Sequence, residues 1–332
     1  MATTFKSAST PIKNSNHTWL KFIKKNGSIL LIYGFILLLG TAASIYSDKF
    51  FTVFNMVNIA RQSIILGLIA IGQSMVVLTG GMDFSVGMIA RVVGLTVATL
   101  FAAQGSDPVF IIPFLLVGTL IGVGLGWING MLITRTHANP FIITFGIANI
   151  LRGVGLAISS TPIRGIPEPY LSIYDAKIGI VPVNVIVMAL VWAAMYIFST
   201  QTRLGRNIFA VGGSERIAQL SAIRVNRTLV SAYVISGLFA AFAGLFLLAR
   251  TGVGDPSAAE GMEFQSVVAV AVGGISLYGG KGSIVGTLGG VLLLAMLSNV
   301  FTMTQVNIYF QQLLLGLVVL VAVAAYKSQR SA

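Results

Sequence analysis

The side chains with chemical potential in this 332-residue sequence are few. Cysteine is absent, which removes disulfides and thiolate metal sites. The two histidines, His17 and His137, have no second ligand near them in sequence, so no metal site is expected. Gly279-Gly280-Lys281-Gly282-Ser283 has the composition of a phosphate loop. Gly282, however, separates the lysine from the hydroxyl, and both flanks are apolar runs rather than a strand and a helix. With no paired carboxylates and no Ser-His-Asp set, neither catalysis nor nucleotide binding is indicated.

Four charges stand apart because they lie in or beside long apolar runs: Arg61, Asp83, Arg91 and Arg152. A charge in a membrane span is costly and marks either a function or a buried partner. Arg61 and Arg152 fall near run ends, from which long side chains reach the membrane surface. Asp83 follows Gly80-Gly81 at a helix start, where unpaired N–H groups and the helix dipole favour a carboxylate. Arg91 is well inside a run, and no such argument covers it.

Such charges need a scaffold of membrane helices, and the composition supplies it. Hydrophobic residues make up 56% of the chain and charged residues 9%, with mean hydropathy +0.91. A soluble domain carries about 25% charged residues. The fold class is therefore all-α: a polytopic membrane protein of about ten transmembrane helices, some broken, with a possible internal repeat. At about 20 residues per crossing, the apolar runs are 28–45, 57–79, 84–103, 109–133, 140–159, 178–198, 229–250, 264–279, 284–302 and 308–326. The first is long enough to span and reads as an uncleaved helix rather than a signal peptide. The run 264–279 is short, ends in Gly279-Gly280, and reads as broken or re-entrant. The expected organisation is a polar tail 1–27, a membrane domain 28–326 containing a long loop 199–228, and a tail 327–332.

The net charge of +12 is not a nucleic-acid footprint, because the bases alternate across the runs. Ten crossings put one set of loops with Lys6, Lys13, Lys21, Lys24, Lys25, Arg135, Lys281, Lys327 and Arg330. The same side takes Arg203, Arg206, Arg216, Arg224 and Arg227. The opposite side takes Asp48, Asp107, Glu168, Asp175, Asp255, Glu260 and Glu263. Lys- and Arg-rich loops face the cytoplasm, so both termini are expected there.

Three glycine-rich stretches join apolar runs. The first holds Gly80, Gly81, Asp83, Ser85 and Gly87. The second holds Asn139, Pro140 and Phe141, with Thr144 and Gly146. The third holds Gly273, Gly274, Gly279, Gly280 and Gly282. Irregular backbone in a membrane must be buried in protein or line a water-filled path, so tight interhelical turns and broken helices beside a path are both open readings. A glycine pair closes an apolar run in the first and third stretches, which hints at a duplication of roughly 57–160 in 229–326. In the loop 199–228, after Gly205, Gly212-Gly213 interrupts the chain, Ser214 can cap a helix and Glu215 suits its first turn. Ile217 and Leu220 then share one face of a short helix, the form of a docking knob for a soluble partner. Asn58, Gln62, Gln73, Asn149 and Gln265 are polar positions on the runs, each an interhelical hydrogen bond or a candidate path-lining group.

Taken in this order, the Gly80–Gly87 stretch, Asn139-Pro140-Phe141 with Thr144 and Gly146, the Gly205–Val225 loop and Gly273-Gly274 through Gly286-Thr287 resemble a known family. They are similar to the permease subunits of bacterial ATP-binding-cassette importers for monosaccharides, of the ribose and galactose type, over about residues 50–326. The resemblance implies a second permease copy or paralogue, two soluble ATPase subunits and a periplasmic sugar-binding protein, in the bacterial inner membrane. ATP and magnesium would sit on the ATPases, so this chain binds no cofactor, and the Gly205–Val225 loop would dock to them. Two positions depart from the family: Arg91 replaces a small apolar residue, and Ala222 stands where glycine is usual. Ala222 is expected to be harmless, since alanine favours helix. The rival reading, an ion- or proton-coupled secondary transporter, needs mid-membrane carboxylates, and only Asp83 comes close.

Overall fold

In the computed structural model, the described residues are 16–307, 309–311, 313, 316 and 317. The tails 1–15 and 327–332, and most of the predicted run 308–326, lie outside them. The helices are α1 (Asn16–Tyr46), α2 (Val53–Leu78), α3 (Val86–Ala103), α4 (Ile111–Thr136), α5 (Pro140–Ile158) and α6 (Glu168–Asp175). After a two-residue hairpin, β1 (Lys177–Ile178) and β2 (Val181–Pro182), come α7 (Val183–Gln201), α8 (Arg203–Gly213), α9 (Glu215–Leu220), α10 (Val225–Thr251), α11 (Met262–Val272) and α12 (Ile284–Met303). Among the described residues, eight helices are long and apolar enough to cross a membrane. The chain is an all-α, multi-pass membrane protein.

Helix ends follow local chemistry. Thr52 and Asn139 accept hydrogen bonds from the N–H groups of Asn55 and Phe141 at the starts of α2 and α5, and Pro140 occupies the first turn of α5, where no N–H is missed. Gly252 closes α10 in the left-handed conformation, φ 67°.

The core is built around α10, which runs antiparallel to α4. Gly118, Gly122, Gly126 and Gly130 form a stripe one turn apart on α4 and meet Leu245, Ala241, Gly237 and Val230 in descending order. A Cβ on Gly122 would lie 2.5 Å from both the Ala241 Cβ and the Gly237 carbonyl oxygen. Apolar burial gives little drive between helices in lipid, so such small-residue stripes let backbones approach and gain dispersion.

Residues recurring at one spacing support the duplication expected of 57–160 in 229–326, and they correct which glycine-rich stretch matches the first. In packing, α10 lies on α3 and α4, while α2 lies on α11 and α12, so the two halves exchange their leading helices. Thr79-Gly80 with Asp83 and Ser85 reappears as Thr251-Gly252 with Asp255 and Ser257. Asp83 and Asp255 stand as far apart in sequence as the first residues of α2 and α10, Val53 and Val225. The Ser85 N–H donates to Asp83 Oδ1 over 2.9 Å, and the Ser257 N–H donates to Asp255 Oδ1 over 2.8 Å. The third glycine-rich stretch, taken from the sequence as the match of the first, is instead the α11–α12 connector. A glycine pair marks a break in a helix without fixing which break it is.

The broken span is α11. Its 11 residues rise about 16 Å, roughly half of a bilayer's hydrocarbon core. It can be short because the preceding connector has already turned back. Gly254 packs on Ala98, in the fourth turn of α3, whereas Ala259 and Glu263 reach Gly87 in the first turn. Segment 252–261 therefore runs back along α3, and the N-termini of α3 and α11 meet, with the Phe84 and Phe264 ring centroids 5.3 Å apart. This corrects the placement of Glu260 and Glu263 as charges of an outer loop.

Candidate functional site

Where those N-termini meet α5, a cleft of about 240 Å³ opens. Phe84, Met88, Phe145, Asn149, Arg152, Glu260, Glu263 and Phe264 line it. Its charges are tied together. Arg91, with a side chain only 2% exposed, donates through Nε to the Ala258 carbonyl at 3.0 Å and through Nη2 to Glu260 Oε2 at 3.1 Å. Arg152 donates to the other oxygen, Glu260 Oε1, at 2.8 Å. Glu260 thus bridges α3 and α5, and the folded-back connector is what brings Arg91 its counter-charge. Phe141, Phe145 and Phe84 form an aromatic wall: Phe141 stacks on Phe145 at 5.7 Å and meets Phe84 edge-on at 5.0 Å.

Neither arginine expected to reach the membrane surface is unpaired. Arg61 lies 3.5 Å from Asp175 and 5.4 Å from the centre of the Tyr174 ring, and Arg152 is held by Glu260. Burial raises the Tyr174 phenol above its ordinary value, against the pull of Arg250 and Arg61.

Asp83 sits in a closed polar set rather than in the cleft. Oδ1 accepts from the Ser85 N–H and from the Ser85 hydroxyl at 2.6 Å, and Oδ2 accepts from the Ser236 hydroxyl at 2.8 Å. Asn129 Nδ2 donates to Ser85 Oγ at 2.7 Å. Gln73, expected as a path-lining candidate, is fully buried, and its amide meets the Asp83 backbone, donating to the carbonyl at 3.0 Å and accepting from the N–H at 3.3 Å. Gln73 joins α2 to this set, which as a whole ties α2, α3, α4 and α10 together. Asn149 does line the cleft. Asn58, Gln62 and Gln265 are half-buried on α2 and α11, outside the cleft lining.

The second feature is the elbow made by α8 and α9. Ser214 caps α9, accepting from the Ile217 N–H at 3.4 Å, with Glu215 in the first turn. Ile217 and Leu220 are 65% and 82% exposed, while Ala218 on the opposite face is buried with Val211 and Val225. The sequence reading missed α8 as a helix, because Gly205 and Gly212-Gly213 lower its propensity. Its signal was the Thr202 cap with Leu204, Ile208 and Val211 at helical spacing. Ala222 also needs correction. It lies just past α9 at φ 59°, where the Ala222 N–H bonds Gln219 O and the Ile223 N–H bonds Ala218 O. That is a left-handed helix stop, the position glycine favours, and helix propensity has no bearing on it.

The glycines of the first and third stretches knit this elbow to the broken helices. Gly205 lets α8 turn tightly against the Phe198 and Ser199 carbonyls, and Gly273 lies against Gly286. Gly81 faces the Tyr233 hydroxyl, and Gly282 packs on Ile275. Gly80 and Gly279 approach each other, and Gly280 meets Gly212 and Gly213 at the end of α8.

The fold is a multi-pass bundle with a half-span helix, a half-open charged cleft and an exposed elbow fastened to the connector of that helix, and its relatives make it a membrane transport permease. The chain belongs to the family described as "Branched-chain amino acid transport system / permease component", matched over residues 55–323. It is 34% identical to the ribose import permease protein RbsC of Haemophilus influenzae, covering 87% of this chain and 90% of the relative. It is 34% identical to the D-allose transport system permease protein AlsC of Escherichia coli (91% of each chain) and 33% identical to the fructose import permease protein FrcC of Rhizobium meliloti (84% and 79%). These relatives are transport permeases, and this chain is a permease subunit rather than an enzyme. No solved structure matches it significantly.

Proposed function

We propose that this permease forms, with a second copy or paralogue, the path for monosaccharide uptake through a bacterial inner membrane. ATP hydrolysis on two soluble partner subunits drives it, and a periplasmic sugar-binding protein delivers the substrate. The sugar names of the relatives support the substrate class. The observation that carries the mechanism is α9. It holds Ile217 and Leu220 out of the fold on a helix whose opposite face is packed, and whose neighbour α8 touches the end of α2. An ATPase groove that seats those two side chains can push on the membrane helices through α8. The basic loops then face the ATPases, with both termini on the same side. The closed hydrogen-bonding of Asp83 argues against proton relay, because each carboxylate oxygen already has a fixed partner.

The test is uptake of ribose, allose and fructose into proteoliposomes holding the permease, its ATPase and its binding protein. We expect uptake of one of the three that needs enclosed ATP and survives an uncoupler. Uptake that collapses with the proton gradient while ATP is held constant would refute the mechanism.

A further inference from the structure

We infer that the cleft between α3, α5 and α11 is a sugar-contact site inside the permease itself, and this rests on the sugar-import reading above. The first ground is charge. Two arginines, Arg91 and Arg152, face two carboxylates, Glu260 and Glu263. The pairing leaves no unmatched charge in the cleft for a ligand with net charge to meet. A zwitterion would have to break the 2.8 Å Arg152–Glu260 pair to find its partners. A hydroxyl can donate to Glu260 or accept from Arg152 without breaking it.

Access is the second ground. The Arg152 and Glu260 side chains are 55% and 49% exposed, unlike Arg91, so they are paired and still reachable. Glu263 also lines the cleft, but its Oε2 is buried against Gly87, so Glu260 and Arg152 are the reachable polar groups. The third ground is shape. Phe84, Phe145 and Phe264 supply apolar faces for the C–H side of a sugar ring opposite the polar groups. The volume, about 240 Å³, falls just below the range of about 300–1,000 Å³ typical of small-molecule pockets, which suits one monosaccharide.

The experiment uses the reconstituted importer with Asn149→Ala and Arg152→Gln, each a cleft residue whose loss leaves the Arg91–Glu260 pair intact. Initial uptake is measured for whichever of ribose, allose and fructose the wild type imports fastest, and for its monodeoxy derivatives. We expect either variant to lower uptake of the parent sugar about tenfold, the weight of one good hydrogen bond, with binding-protein-stimulated ATP hydrolysis retained. For one deoxy derivative, variant and wild type should transport equally. No loss in either variant, or a loss equal for the parent and every deoxy derivative, overturns the site. Wild-type import of leucine and of none of the three sugars overturns the sugar reading instead.

Discussion

The backbone N–H of Gly280 donates to the carbonyl oxygen of Leu78 over 2.9 Å, tying the connector of the broken helix α11 to the last residue of α2. Gly212, at the end of α8, packs on that same carbonyl and on the Gly280 nitrogen. Gly280 has φ 72°, which only glycine adopts without strain. One small junction therefore joins the elbow, a full span and a half span. On the mechanism proposed above, movement of the elbow would reach the membrane core there.

Gly212→Val tests that junction. Any Cβ at this position collides with the Leu78 carbonyl, so the α8 end must move outward. Overpacking of this kind costs about 1–3 kcal/mol. We expect the variant to insert and purify with its ATPase but to lose most sugar uptake per ATP hydrolysed. Unchanged coupling in reconstituted liposomes would contradict the role given to the contact.

The exposed face of α9 gives a second expectation. Burying Ile217 and Leu220 in a partner groove is worth about 3–6 kcal/mol before the costs of association. Replacing both with aspartate should leave the bundle's thermal unfolding unchanged, because neither side chain is in the core. The ATPase should no longer co-purify. Full recovery of ATPase with the double variant would show that the elbow is a solvated connector.

Ala222 holds a backbone conformation that costs an L-residue about 1–2 kcal/mol. Ala222→Gly relieves that strain and loosens the unfolded chain, for a net gain of about 1 kcal/mol at most. Amide exchange in α9 should slow by up to about fivefold. Ala222→Val should speed it. The opposite order, read by hydrogen exchange, would mean that α9 does not end where φ 59° places its stop.

The ion-pair bridge predicts an asymmetry. Arg91→Met leaves Glu260 half-exposed and still paired with Arg152, so the cost should be small. Glu260→Ala leaves the buried Arg91 guanidinium without that carboxylate, and an uncompensated buried charge costs about 3–5 kcal/mol. Melting of the purified protein should therefore fall much further for Glu260→Ala. Equal falls would indicate that Arg91 is solvated in the folded protein.

The sequence by itself determined the eight spans found among the described residues, the short run and the α9 helix, because these depend on local composition, length and capping. Val53–Leu78 and Ile284–Met303 can be read from continuous apolar runs, and Ser214 with Glu215 announces a helix start. The GxxxG stripe Gly118–Gly130 was also there to be read, although its partner helix was not. What only the tertiary structure decided is which distant residues meet. The Arg91–Glu260 and Arg152–Glu260 pairs join residues 169 and 108 positions apart in sequence, and the reversal of 252–261 along α3 creates the first. Gly252 ends α10 locally, but the lie of 252–261 along α3 depends on close approaches such as Gly254 to Ala98 and Gly87 to Ala259. The cleft is a product of that packing. So is the role of Gly212, which as a residue type signals only a break, but in the fold is the contact through which the elbow touches α2.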